Sequence, residues 1–134
     1  MSGPVPYLLF PGTAREALTR YQAIFGGSLF LGTRGEMGVS GPADEIQHGE
    51  VNGLVHIFGA DAEPDEDALR PGGWMLSLLG SAPPDALHEW FDALAADGRV
   101  LDPLARKPWG ATDGQVIDAF GVTWLIGYED ARDD

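Results

Sequence analysis

Short apolar runs and one longer segment of helical spacing alternate along the first half of the chain. Four runs have the length of strands: residues 5–10, 28–33, 45–51 and 54–58. Between the first two, apolar residues recur at spacings of three and four, as on one face of a helix. Thr13 and Glu16 have the spacing of a capping box, and Gly26-Gly27 is a helix stop. The pattern therefore predicts a strand, a helix and three further strands.

The connections between the later strands carry different signals. The dipeptide Asn52-Gly53 favours a two-residue hairpin turn with positive φ. Residues 34–44 contain four glycines or prolines and are predicted to form a loop whose path no local pattern fixes.

The second half of the chain repeats this order. Three residues recur 68 positions later, namely Gln47 as Gln115, Gly53 as Gly121 and Gly59 as Gly127. The helix aromatic Tyr21 recurs as Trp90 at an offset of 69. Predicted strands of the second half are residues 74–79, 99–101, 115–117 and 122–128, with a helix at 83–96.

The repeat predicts one α+β domain over residues 1–134, built from two tandem βαβββ units. The units cover about residues 1–61 and 73–130, with an acidic linker at about 62–72. Acidic residues in this linker and in the tail, residues 129–134, are typical of unstructured segments.

Composition removes several classes of function. The formal charge of −13 would repel a phosphate backbone, so we expect no nucleic-acid partner. With no cysteine there is no disulfide framework, thiolate metal site or cysteine nucleophile. No apolar run is long enough to span a membrane and no signal peptide is visible, so we expect a cytoplasmic protein without a membrane partner.

Three segments carry a family resemblance: residues 7–27, the run Ile46-Gln-His-Gly-Glu50, and residues 109–124. They resemble the PhnB-like branch of the vicinal-oxygen-chelate superfamily, which includes glyoxalase I, bleomycin-resistance proteins and extradiol dioxygenases. The resemblance covers nearly the whole chain. It implies curved mixed sheets that enclose a cleft, with helices packed on the outer faces, and it implies a homodimer.

The resemblance also implies four metal-ligand positions, one on the first and one on the last strand of each unit. Counting from Tyr21, and then applying the repeat offsets, places them at Pro6, Ile57, Met75 and Leu125. None of these side chains offers a carboxylate oxygen or imidazole nitrogen. We therefore expect no metal and no other cofactor. A shift of one residue would bring in His56, whose repeat mate is Trp124.

Two polar residues are the best candidates for handling a substrate. His48 and Glu50 are two apart on a predicted strand and share a face, where an imidazole and a carboxylate can act as a base and its orienting partner. The alternative is that the two residues lie at a hairpin edge, either solvated or paired across strands. His56 is predicted to be a hydrogen-bonded packing residue, and His88 a surface residue without function.

Alternation along the strands predicts which residues line a largely apolar cleft. The family resemblance adds Trp109, which matches an aromatic residue kept at that place in the branch and would wall the cleft or stack on a flat ligand. With the polar pair, the predicted ligand-binding residues are Leu8, Phe10, His48, Glu50, Val55, Ser77, Trp109, Gln115 and Thr123. The alternative for the apolar members is an ordinary core. For Trp109 it is a loop tryptophan that closes the end of the sheet.

These observations favour a protein that binds a small organic molecule in a metal-free cleft, for sequestration or transport as readily as for catalysis. One alternative is a metal-dependent lyase, isomerase or dioxygenase of the glyoxalase type that uses His48 and Glu50. Another is an interaction module whose cleft is filled by side chains. Whether the protein is an enzyme, and which ligand it takes, stay open.

Overall fold

The computed structural model describes residues 3–131, which divide after Leu69 into two units that are described separately below. Each unit contains one helix and one four-stranded mixed sheet in the order βαβββ. The predicted α+β class and the duplicated order of elements are confirmed. The unit boundary lies inside the predicted linker at 62–72. Residues 132–134 of the predicted acidic tail lie outside the described residues.

Unit 1 places its first strand parallel to its last. Its elements are β1 (Tyr7–Phe10), α1 (Ala14–Phe25), β2 (Ser28–Thr33), β3 (Ile46–Asn52) and β4 (His56–Asp61). The sheet order is β1-β4-β3-β2, with β1 parallel to β4 and the other pairs antiparallel. Helix α1 lies close to the sheet because glycine occupies the strand positions beneath it. A Cβ atom at Gly49 would lie 2.5 Å from Cδ1 of Leu18, and one at Gly59 would lie 3.3 Å from it.

Unit 2 repeats this arrangement with longer strands. Its elements are β5 (Leu76–Leu79), α2 (Pro84–Ala96), β6 (Arg99–Arg106), β7 (Ala111–Ile117) and β8 (Thr123–Glu129), in the sheet order β5-β8-β7-β6. The sequence pattern predicted only three residues for each of β6 and β7. Pro103 interrupts the pattern, but β6 is an edge strand, where register shifts between Val100 and Ala105 accommodate a residue without an N–H group. None of the helices within residues 3–131 is long and apolar enough to cross a membrane.

The turn between β3 and β4 differs from the prediction. Asn52 pairs with His56, so the loop has three residues, 53–55, and Gly53 does not adopt a positive φ. Position 53 is glycine for a different reason. A Cβ atom at Gly53 would lie 3.0 Å from the Cα atom of Gly27, so the position must be small for the backbone after α1 to approach.

The repeat offset of 68 does not hold for the strands on both sides of this hairpin. It would carry the pair Val51 and Ile57 onto Ala119 and Leu125, but Leu125 pairs with Gln115. The closing pair of the second hairpin leaves five residues, 118–122, against three in unit 1. Because the two loops differ in length, the strands on either side of them cannot share one offset.

The start of α1 is held by a residue at the end of the last strand of the unit. The predicted cap, Thr13, makes no side-chain hydrogen bond to the helix, and its hydroxyl has no partner among the described residues. Instead the N–H of Ala14 donates to Oδ1 of Asp61 at 3.0 Å, and the N–H of Ile46 donates to Oδ2 at 2.8 Å. Asp61 is only 6% exposed. One buried carboxylate therefore joins the end of β4 to the starts of α1 and β3.

The loop that follows β2 is fixed by a buried guanidinium. Arg34 is 2% exposed, and its N–H groups donate to Glu45, Gln47, Glu63 and the carbonyl of Asp61 at 2.7 to 3.1 Å. Four of its five N–H groups are thus bonded, two of them to carboxylates, which meets the requirement for burying a charge. It secures both the loop at 34–44 and the segment after β4.

We expect the substitution Asp61→Asn to lower the free energy of unfolding by about 1–3 kcal/mol, because it leaves a buried N–H without its acceptor and faces it with a second donor. Chemical denaturation followed by circular dichroism measures the change. The matched control is Asp65→Asn, at an exposed position nearby, which should change stability by less than about 0.5 kcal/mol. Equal effects of the two substitutions would contradict the role assigned to Asp61.

Candidate functional site

The face of the unit 1 sheet that points away from α1 carries the candidate site. Side chains alternate between the two faces of a strand, and Gly49 and Gly59 face Leu18 on the helix. The neighbouring even-numbered residues of β3 and β4 therefore lie on the other side. We call this side the open face; its main residues are Tyr7, Phe30, His48, Glu50, His56 and Phe58.

Four of these residues form one row across the sheet. Tyr7 pairs with Phe58, Phe58 with Glu50, and Glu50 with Phe30. Neighbouring strands lie about 4.8 Å apart, so the backbones of Tyr7 and Glu50 flank Phe58 at a separation of about 10 Å. Phe58 thus forms the floor of the row, with a phenol on one side and a carboxylate on the other.

The aromatic rings of the open face contact one another. The ring centroid of Phe58 lies 5.8 Å from that of Tyr7, 5.3 Å from His48 and 5.0 Å from His56. Phe30 lies 6.4 Å from His48. These separations and tilted geometries are typical of favourable ring pairs. Tyr7 and Phe30 nevertheless stay 48% and 53% exposed, so the cluster leaves apolar surface free in this structure.

Two hydrogen bonds fix the polar groups. The Tyr7 hydroxyl lies 2.9 Å from Nδ1 of His48, and Nε2 of His56 is bonded to Oε2 of Glu50. His48 and Glu50 therefore do not pair with each other; each is paired across strands, which is the alternative to a base with its orienting partner on one strand. Residues two apart on one strand are separated by about 6.6 Å, whereas Glu50 and His56 are diagonal neighbours on adjacent strands and reach each other.

These bonds determine what the open face can offer a bound molecule. When the Tyr7 hydroxyl donates to Nδ1 of His48, the imidazole keeps its proton on Nε2 and can donate it. In the other pair, the Glu50 carboxylate orients the imidazole of His56, which is the arrangement of a base and its partner. The face therefore combines an aromatic surface with groups that can donate and accept protons.

A methionine borders this surface. A Cβ atom at Gly32 would lie 2.9 Å from Sδ of Met37 and 3.1 Å from the ring of Phe30. Met37 therefore lies over the sheet beside the aromatic cluster, and it is itself exposed. Methionine adapts its shape to a partner more readily than branched side chains do.

The apolar residues predicted for the cleft in unit 1 lie elsewhere. Leu8 is paired with Gly59, and a Cβ atom at Gly59 would lie 3.1 Å from the ring of Phe10. Both residues are buried on the side of the sheet that faces α1. Val55 is buried in the hairpin loop. The prediction that these residues share a surface with His48 and Glu50 is wrong, because alternation was counted in the wrong phase.

The remaining predicted residues belong to unit 2. Ser77 pairs with Leu125, and Leu125 with Gln115, so these three form a row across its sheet. Ser77 is exposed and Gln115 half-buried, whereas Thr123 is buried. Trp109, in the turn between β6 and β7, is 69% exposed.

The pairings also revise the positions implied for metal ligands. Ile57 is buried opposite Val51 on the side of α1, and Met75 precedes β5. The pairs on the faces away from the helices are Tyr7 with Phe58 and Ser77 with Leu125. Phenylalanine and leucine cannot coordinate a metal ion. Within residues 3–131, no three His, Asp or Glu side chains are grouped closely enough to hold one.

Four residues of the open face were missed by sequence reasoning: Tyr7, Phe30, His56 and Phe58. Two of them could have been found from the alternation of side chains between the two faces of a strand. With a three-residue loop after Asn52, His56 and Phe58 point to the same side as His48 and Glu50. The assumed two-residue turn hid this relation.

Burial raises the pKa of the Tyr7 hydroxyl above its ordinary value of 10.0, and the charge of Glu66 adds to the effect. The raised pKa favours the folded state fully below pH about 10, and this contribution is lost as pH rises through the folded-state pKa.

A pH titration followed by tyrosinate absorbance tests this assignment. The difference between the wild type and Tyr7→Phe should show a midpoint at higher pH than that of free tyrosine. Glu66→Gln should lower this midpoint and Asp65→Asn should not. A midpoint at or below the ordinary value would contradict the assignment.

Comparisons with known proteins identify relatives of this chain. Protein YjdN of Escherichia coli (strain K12) is 31% identical over 136 residues, which cover 90% of this chain and 91% of that protein. The crystal structure of protein PA1353 from Pseudomonas aeruginosa is 30% identical, with a TM-score of 0.85, and covers 98% of this chain and 100% of its own. No family model matches the sequence.

More distant solved structures share the fold. A PhnB protein from Bacillus cereus is 23% identical with a TM-score of 0.71, over 97% of this chain and 100% of its own. A member of the glyoxalase/bleomycin resistance protein/dioxygenase superfamily from Sphaerobacter thermophilus is 16% identical with a TM-score of 0.58, over 96% of this chain and 98% of its own. The chain therefore belongs to the same family as protein YjdN and protein PA1353, and it shares its fold with PhnB and with the glyoxalase/bleomycin resistance protein/dioxygenase structures.

Proposed function

We propose that this protein binds a small planar organic molecule on the open face of unit 1. The observation that carries the proposal is the row of Tyr7, Phe58, Glu50 and Phe30, in which apolar rings and a carboxylate lie side by side. A flat molecule can stack on Phe58 while polar groups at either side fix its orientation. Binding sites for small molecules combine apolar walls with a few placed polar groups in this way.

The exposure of the rings and the fixed orientation of the imidazoles support ligand binding over a purely structural role. Rings that only stabilise the sheet would be covered, but Tyr7 and Phe30 are about half exposed. The two imidazoles are each held by a hydrogen bond, so little conformational entropy is lost when they contact a ligand. The charge of −13 disfavours polyanions such as nucleotides.

A second candidate function, proton transfer on the bound molecule, is favoured by the contact between His56 and Glu50. Bonding through Nε2 leaves Nδ1 of His56 outside that hydrogen bond. If this function operates, an acidic C–H group of the ligand exchanges with deuterated water faster in the presence of the protein. His56→Ala should abolish the exchange while leaving binding largely intact.

We expect Phe58→Ala to weaken ligand binding about tenfold, which corresponds to about 1.4 kcal/mol for a lost stacking partner. The probes are catechol and 1-naphthol, two small planar compounds that carry hydroxyl groups. Thermal shift detects binding, since a ligand at 100 times its Kd stabilises the native state by about 2.7 kcal/mol.

The matched control is Leu54→Ala, an exposed apolar residue in the adjacent hairpin loop. Its affinity for the same probe should equal that of the wild type. Two results would count against the proposal: no probe raises the unfolding temperature, or Phe58→Ala and Leu54→Ala bind alike.

A further inference from the structure

The hairpin between β6 and β7 holds Trp109 in a defined position. The N–H of Gly110 donates to the carbonyl of Lys107 at 3.2 Å, and the N–H of Lys107 donates to the carbonyl of Ala111 at 2.7 Å. Pro108 restricts its own φ, and Gly110 adopts a φ of 85°. A tight turn followed by a left-handed glycine is a common rigid form of hairpin connection. The tryptophan is therefore presented by a preorganised turn.

Hydrogen bonds hold the indole from one edge. Its Nε1–H donates to Oδ2 of Asp113 at 3.1 Å. Asp113 is fixed in turn by Lys107, whose Nζ lies 3.1 Å from Oδ1 and 2.5 Å from the backbone oxygen of the same residue. Lys107 also forms an ion pair with Asp102 at 3.1 Å. The indole N–H is thus satisfied, while 69% of the residue stays exposed.

A cavity of about 510 Å³ adjoins this tryptophan, and its size suits a small molecule. It is lined by Leu79, Gly80, Trp109, Ala111, Asp113, Tyr128 and Glu129. The hydroxyl of Tyr128 is bonded to Nε2 of His88 at 2.8 Å, which fixes the second aromatic wall. All these residues belong to unit 2.

The charges around the cavity favour a cation. Its two charged lining residues, Asp113 and Glu129, are both acidic. Lys107 does not line the cavity and is engaged with Asp102 and Asp113. The overall charge of −13 adds a long-range attraction for positive ligands. A bare metal ion is a poor fit, since no group of three ligating side chains is found within residues 3–131.

We propose that this cavity binds a small organic cation, with an alkylammonium group on the indole face of Trp109 and the carboxylate of Glu129 as its counter-charge. Tryptophan is the strongest cation–π partner among the side chains. The apolar wall of Leu79 and the ring of Tyr128 accommodate the alkyl groups. The site does not depend on the function proposed for unit 1.

The test uses choline and its uncharged isostere 3,3-dimethylbutan-1-ol as paired probes. Titration is followed by the indole N–H resonance of Trp109 in an NMR spectrum of the full-length protein. Choline should give a saturable shift in the millimolar range, and the isostere should not. Raising the salt concentration should weaken the choline response, because the attraction is partly electrostatic.

Variants separate the contributions of ring and charge. Trp109→Phe should bind choline several-fold more weakly, and Trp109→Ala should not bind it. Because these variants lack the indole N–H, binding is followed by the shifts of the choline resonances and of the other residues that line the cavity. Glu129→Gln should weaken binding several-fold, whereas Asp85→Asn, an exposed acid on α2 that does not line the cavity, should have no effect. Equal binding of the uncharged isostere, no saturable choline shift, or unchanged binding by Trp109→Ala would overturn the proposal.

Discussion

The buried carboxylate of Asp61 is the constraint on which the geometry of unit 1 depends. It accepts the backbone N–H groups of Ala14 and Ile46, two donors that would otherwise be buried without partners. The first of these lies at the start of α1, where a negative charge also meets the positive end of the helix dipole. Since Asp61 is itself in register with Phe10, the same residue ties β1, α1, β3 and β4 to one another.

That connection sets the phase of β4, and the phase decides which residues reach solvent. Ile57 and Gly59 are turned toward α1, so His56 and Phe58 must face the other way. A slip of one residue would bury the imidazole and expose the isoleucine. The aromatic row of the open face is therefore a consequence of a hydrogen-bonded carboxylate at the end of the strand. Unit 2 contains a comparable device, in which Asp118 accepts the N–H groups of Phe120 and Val122 and the indole N–H of Trp124.

Local patterns predicted the features of this fold that depend on near neighbours. Both helices were located to within a residue, because apolar spacing and helix-ending glycines act over short distances. The failures concern contacts between distant residues. Thr13 has the sequence of a cap, but its role is taken by Asp61 from another strand. The Asn52-Gly53 dipeptide is typical of a tight turn, but position 53 must be glycine because the backbone of Gly27 approaches it closely. No spacing rule can contain such information.

The same limit explains the candidate site. His48 and Glu50 were found because they lie two apart on one strand, yet the partners they use, Tyr7 and His56, come from other strands. Predicting that Glu50 pairs with His56 requires the length of the hairpin loop between β3 and β4. The Asn52-Gly53 dipeptide indicated a loop of two residues, but the loop has three. An error of one residue in that loop exchanged the two faces of β4, so His56 and Phe58 were not assigned to the same side as His48 and Glu50.

The two units have the same backbone arrangement but carry different side chains at corresponding positions of their sheets. In unit 1 a row across the sheet carries Tyr7, Phe58, Glu50 and Phe30, whereas a row in unit 2 carries Ser77, Leu125, Gln115 and Asp102. The order of elements and the strand pairing are the same in both, so neither can be the source of the difference. A shared fold therefore accounts for where side chains are held, and the residues at those places must account for what they bind.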